Sequence, residues 1–229
     1  MKPSDNQKLT IAIDGPAGAG KSTIAARLAR KLGYVNLESG AMYRALALKA
    51  IRNDISFDDE PALLALAQRS KIRLEPTREG NRVFLDGMDV SQRIREQDVT
   101  NAASRVSIHP SVRQWMVERQ RELGAGGGVI MEGRDIGTKV FPRAEVKVFL
   151  DAHLEVRQQR RVLQRAEKGL QVEPQRIAAE LQERDLRDRT RTASPLVPAD
   201  DAVIIDSSQL SIDQVVDKVE QLVRKKLGD

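Results

Sequence analysis

Residues 15–22 read GPAGAGKS and fit the pattern G-x-x-x-x-G-K-[ST], which constrains the chain more than any other feature it carries. The run LTIAID at residues 9–14 before it is short, apolar and rich in β-formers, and Ile24, Leu28 and Leu32 after it recur at helical spacing. The loop is therefore expected between a strand and a helix, as a phosphate-binding loop must be. Gly15, Gly18 and Gly20 let backbone N–H groups converge on phosphate oxygens without Cβ clashes, and the helix starting near Lys21 turns its positive end toward them. Lys21 adds a mobile charge for the β and γ phosphates of a nucleoside triphosphate, and the Ser22 hydroxyl can face Mg2+. Pro16, Ala17, Ala19 and Thr23 complete the expected ATP-binding segment. No Asn-Lys-x-Asp segment occurs, so a guanine-reading GTPase is excluded and the second substrate must be sought elsewhere.

Three further apolar runs, at 129–131, 146–150 and 203–205, are separated by long helical stretches. That alternation predicts an α/β fold on a buried parallel sheet. Residues 71–90 differ: KIRLEP and NRVFLDG alternate like hairpin strands around Glu79, Gly80 and Asn81, which predicts a small inserted β subdomain. The Gly-rich stretch 124–128 reads as a flexible lead into the next strand. At the end of the chain Ser211 and Gln214 form a capping box ahead of a stripe of Ile212, Val215, Val216, Val219, Leu222 and Val223, with Gly228 as the stop.

With 229 residues the chain is long enough for one substantial core and an appended subdomain. It has no cysteine, hence no disulfide, thiolate metal site or cysteine nucleophile. The polar start and the lack of a long apolar run predict a cytoplasmic protein without a membrane span, and no uncovered apolar helix is evident, which favours a monomer. A net charge of +5 calls for an anionic partner, but aromatics are only 3%, too few for the stacking platforms of a nucleic-acid binder. His109 and His153 lie too far apart to make a local metal motif.

Along residues 174–192, Ile177, Leu181, Arg184, Asp188 and Arg191 fall within about 80° of arc at the α-helical repeat. This stripe passes from apolar to charged. It either faces a cleft, where Arg and Asp bind phosphate and sugar hydroxyls, or forms an ordinary salt-bridge face, with Leu186 on the other side. Arg157, Arg160, Arg161, Arg165 and Lys168 make a second, basic stripe: a lid over transferring phosphates, or a solvated face offset by Glu155 and Glu167. The run VIMEGRDIG puts Glu132, Arg134 and Asp135 just after a buried strand, where open α/β sheets bind ligands, and Glu132 is placed to act on Mg2+ through water. Ser39 is either a site residue or the N-cap of a helix carrying Tyr43 and Arg44.

Taken together, IDGPAGAGKST, ESGAMYRA, NAAS, EGRDIGTKVFPRA and ERDLRDRTR followed by SPLVPADDA closely resemble the bacterial cytidylate kinases over essentially the whole chain. The resemblance implies an adenylate-kinase-like P-loop core at about 8–60 and 125–229, with a five-stranded parallel sheet flanked by helices. It also implies a nucleotide-binding insert at about 66–105 and an Arg-rich lid at about 154–170. The implied activity is transfer of the γ-phosphate of ATP, with Mg2+, to CMP or dCMP, giving CDP or dCDP and ADP in pyrimidine metabolism. Carried over by position, Ser39, Arg184 and Asp188 bind the ribose or its neighbourhood, and Arg44, Arg134 and Arg191 hold the acceptor phosphate. Ser104, Arg113 and Asp135 read the cytosine ring; Lys21, Arg134, Arg191, Arg160 and Arg161 are catalytic; Ser22 holds Mg2+, with Glu132 acting through water. Two positions depart conservatively, Glu38 and Glu132, where the family often has Asp. The rival readings are a P-loop kinase for another small acceptor, UMP or shikimate, and a P-loop ATPase that binds nucleic acid or a regulatory partner.

Overall fold

A computed structural model describes residues 8–77, 80–167, 169, 171 and 173–228. The chain begins with β1 (Thr10–Asp14), α1 (Lys21–Leu32), β2 (Val35–Glu38), α2 (Ser39–Arg52) and α3 (Glu60–Gln68). An antiparallel sheet follows, β3 (Ile72–Thr77), β4 (Gly80–Leu85) and β5 (Met88–Asp89), and then α4 (Gln97–Val106) and α5 (Pro110–Gly124). The remainder is β6 (Val129–Gly133), a π-helical turn at Ile136–Val140, β7 (Val146–Asp151), α6 (Leu154–Ala166), α7 (Pro174–Thr190), β8 (Val203–Asp206) and α8 (Ile212–Leu227).

Five parallel strands in the order β2-β6-β1-β7-β8 form the main sheet. Its middle strand, β1, is apolar throughout its interior because Ile11, Ala12 and Ile13 are wholly buried between helices on both faces. One face packs on α1 and α8 through Leu28, Val216, Val219 and Val223. The other packs on α2 to α5 through Met42, Leu46, Leu63, Met116 and Ile136. Four of the five strands fall on the apolar runs read from sequence. The fifth, β2, reads VNLE and has too little apolar content to signal itself.

The capping box of α8 is present in both directions, Gln214 N–H donating to Ser211 Oγ at 3.2 Å and Ser211 N–H to Gln214 Oε1 at 2.8 Å. The expected hairpin forms with Gly80 and Asn81 already inside β4; Glu79 lies outside the described residues. The stretch 124–128 is not a flexible lead. A Cβ on Gly124 would stand 2.4 Å from the Phe141 ring, and Gly128 donates to Leu9 O at 3.0 Å and accepts from Val35 N–H at 2.8 Å. It is a packed turn that sets the register of β6.

Candidate active site

The loop between β1 and α1 lies against β7 so closely that a Cβ on Gly15 would meet the carbonyl oxygen of Leu150 at 1.9 Å. Gly15 also has φ of +147°, so only glycine fits here. Lys21 is buried, and its ammonium donates to Pro16 O at 2.7 Å, closing the loop on itself. Burial, with Arg134 nearby, lowers its pKa to about 7 against the attraction of Glu132. Ser22 Oγ donates to Glu132 Oε1 at 3.0 Å, so the hydroxyl and the acid at the end of β6 meet. Among the described residues no cluster of three or more acidic, His or Cys side chains could hold a metal alone. The Ser22 and Glu132 oxygens fit Mg2+ in its usual company of phosphate oxygens and water.

A cleft of about 770 Å3 opens over this loop, lined by residues 17–23 and by Arg44, Arg134, Arg160, Arg161 and Arg184. Its size suits a nucleoside triphosphate. An inner recess adjoins it and brings together Ser39, Arg44, Ser104, Arg113, Arg134, Asp135, Arg184, Asp188 and Arg191, drawn from α2, α4, α5, the end of β6 and α7. The cleft and the recess share Arg44, Ser104, Arg134 and Arg184 in their walls.

Within the recess both acids are paired with arginines. Asp188 accepts from Arg134 Nε at 2.8 Å and from Arg191 at 3.4 Å. Burial would raise its pKa, but Arg134, Arg184 and Arg191 outweigh that and hold it at about 2. Arg113 donates to Asp135 at 2.5 Å and to Ser107 O at 2.9 Å in a fully buried pair. Arg184, buried beside Arg134, is brought down to about 10. Arginines crowded this way, beyond what the local acids neutralise, form a site for an anion.

The charged stripe on α7 faces the recess, with Leu186 exposed on the opposite side. Arg191 stands one residue beyond the helix, its backbone extended and its Nε donating to Ser194 O at 2.7 Å. Ser39 is the first helical residue of α2 and not its N-cap, which is Glu38; its hydroxyl donates to Glu132 O at 2.8 Å. The basic stripe of α6 divides. Arg160 and Arg161 line the cleft, Arg160 donating to Ser207 O at 2.7 Å. Arg157 is instead a buried strut, bonded to Ala17 O at 3.0 Å and paired with Asp185 at 2.7 Å, and Arg165 is turned to Gln97 and Glu180. Lys168 lies outside the described residues.

Two participants escape sequence reasoning. Asp14, at the end of β1, accepts from the N–H groups of Ile136 at 2.8 Å and Gly137 at 2.7 Å, and so fixes the backbone just after Asp135. Burial pushes its pKa up to about 7 against those two donors. An acid ending an otherwise apolar strand is the signal that marks it. Arg187 donates to Ser104 Oγ at 2.7 Å; standing three residues after Arg184 it shares that side of α7, which the narrower stripe leaves out.

Residues 11–225 match the profile of the cytidylate kinase family. A cytidylate kinase of Enterococcus faecalis is 48% identical over 219 residues, covering 96% of this chain and 97% of that protein. One from Pelotomaculum thermopropionicum is 52% identical over 207 residues, covering 90% and 92% respectively. Among solved structures, the shikimate kinase of Bacteroides thetaiotaomicron covers 94% of this chain and 98% of its own at 15% identity and a TM-score of 0.50, a likeness of fold. A P-loop set against a recess of paired arginines and acids, on a chain whose sequence matches that family from β1 to α8, makes this protein a member of the cytidylate kinase family.

Proposed function

We propose that this chain is a (d)CMP kinase, which transfers the γ-phosphate of ATP to CMP or dCMP and releases ADP with CDP or dCDP. The observation that carries this reading is the wall common to the two cavities: Arg44, Arg134 and Arg184 border both the P-loop cleft and the inner recess. A phosphate donor in one and a phosphate acceptor in the other would meet at those guanidinium groups. No general base is required, because a phosphomonoester with a second pKa near 6 is already mostly dianionic at neutral pH. Lys21, Arg134, Arg191, Arg160 and Arg161 then act by position and charge, steadying the negative charge that spreads over the transferring group. Ser22, and Glu132 through water, would hold Mg2+ brought with ATP, which would supply further neutralisation of the phosphates. In the recess Arg44, Arg134 and Arg191 take the acceptor phosphate, and Ser39, Arg184 and Asp188 the sugar. Ser104, Arg113 and Asp135 take the cytosine ring. The reading makes the chain a cytoplasmic, monomeric enzyme of pyrimidine nucleotide metabolism, with residues 66–105 as acceptor insert and 154–170 as lid.

The test is ADP release with Mg2+-ATP and, in turn, CMP, dCMP, UMP, AMP and shikimate. Turnover is expected with CMP and dCMP, much less with UMP, and none with AMP or shikimate. Full ADP release with no acceptor present would make the chain an ATPase and overturn the proposal.

A further inference from the structure

Around the inner recess, several buried side-chain atoms have no hydrogen-bond partner among the described residues: the hydroxyl of Tyr43, Nε of Arg44, Arg113 and Arg184, and a terminal nitrogen of Arg191. The arginines are already assigned to the acceptor. Tyr43 is not, and its hydroxyl is the one polar atom its side chain has. The residue is only 8% exposed, so phenylalanine would fill the same space without the cost of a dry hydroxyl. Position explains the hydroxyl better than packing does. Tyr43 stands one helical turn after Ser39 on α2, lines the recess, and has the Arg113 guanidinium 5.4 Å from its ring centroid. Arg113 is one of the three residues proposed for the cytosine ring, so its guanidinium beside Tyr43 puts this side chain at the base end of the recess. Burial pushes its pKa up to about 12, which keeps it a neutral phenol able to donate.

We propose that Tyr43 is a further substrate-binding residue, whose hydroxyl donates a hydrogen bond to the ring carbonyl O2 of the acceptor pyrimidine. The inference rests on the (d)CMP kinase reading. O2 is the acceptor atom that cytosine and uracil share, whereas position 4 carries a donor in one and an acceptor in the other. Tyr43 thus holds pyrimidines as a class, and Asp135 is left to choose between them.

Tyr43→Phe keeps the ring and its contact with Arg113 and removes only the hydroxyl. With the intact chain, KM should be measured for CMP, dCMP and ATP, together with the inhibition constant of UMP as a competitor of CMP and the Tm. The constants for CMP, dCMP and UMP should all rise by about fivefold to tenfold, the loss of one good hydrogen bond. KM for ATP should not move, and Tm should hold or rise because a dry hydroxyl has gone. An unchanged KM for CMP would remove Tyr43 from binding. A loss for CMP without one for dCMP would move the contact to the sugar 2′-hydroxyl, and a loss for CMP without one for UMP would make Tyr43 a base selector; either overturns the assignment to O2. Wild-type protein that ignores CMP and dCMP would sink the kinase reading itself, a result distinct from all of these.

Discussion

Asp135 has two duties that pull against each other in any test by truncation. As the buried partner of Arg113 it neutralises a guanidinium, and as the proposed reader of the base it accepts from the 4-amino group of cytosine. Removing it altogether leaves Arg113 buried and unpaired, a penalty of about 3–5 kcal/mol that would hide the effect on specificity. Asp135→Asn is the sharper variant: its amide still accepts, and can also donate to the O4 of uracil. The ratio of kcat/KM for CMP over UMP should fall by about tenfold or more, and an unchanged ratio would show that Asp135 does not read the base. Asp14 makes a prediction of another kind. Its folded pKa near 7 lies above the ordinary 3.8, so the folded protein keeps a proton that the unfolded chain has released. Stability from this group is therefore full below pH 4 and lost as pH rises to 7. Lys21, brought down to about 7 from 10.5, acts in the opposite sense, adding stability as pH rises from 7 to 10.5. Urea midpoints measured from pH 4 to 7 should fall less steeply in Asp14→Asn than in wild type, and parallel curves would show that Asp14 does not titrate there.

At the scale of elements, what sequence made visible follows physical rules that can be named. β1, β6 and β7 are buried on both faces and read as apolar runs, broken in β7 only by Lys147, and the α7 stripe was visible because cleft and core lie on one side of one helix. β2 was not visible because Asn36 and Glu38 leave it only two apolar residues, whereas β8, equally short and at the opposite edge, has three in a row. The packed turn at 124–128 resembles a flexible linker in composition, and only the approach of Phe141 to Gly124 and of Lys8 to Gly127 shows that these two glycines are required by crowding. The basic stripe of α6 illustrates a further limit. Periodicity groups Arg157, Arg160, Arg161 and Arg165, but partners contributed by distant segments, Asp185 and Ala17 for one and Gln97 and Glu180 for another, decide which of them face the cleft. The roles of Ser104 and Arg113 came from family likeness alone, since nothing in the periodicity of α4 or α5 marks either residue.

Across the whole molecule, the parts on either side of the cleft are tied together. Arg165 on α6 bonds to Gln97 at the start of α4 and to Glu180 on α7 at 2.9 Å, and Gln97 reaches Glu180 at 3.3 Å. Gln97→Ala cuts the link to α4 while leaving Arg165 and Glu180 joined. KM for ATP and CMP should rise together by roughly two- to fivefold, the worth of a part-exposed polar tie, with Tm nearly unchanged. Equal constants in variant and wild type would show that the tie does not help hold the cleft closed. Asn81 makes a second long link, accepting from Glu38 N–H at 2.8 Å and donating to Asn36 O at 2.7 Å. Those two groups point outward from β2, and one residue of a sixth parallel strand would bond to both. A single carboxamide thus occupies the place of a neighbouring strand. The small inserted sheet is, in effect, a stopper on an adhesive border: without it, the open rim of β2 would be a template on which a second molecule could add its own strand, and the protein would tend to polymerise through that side.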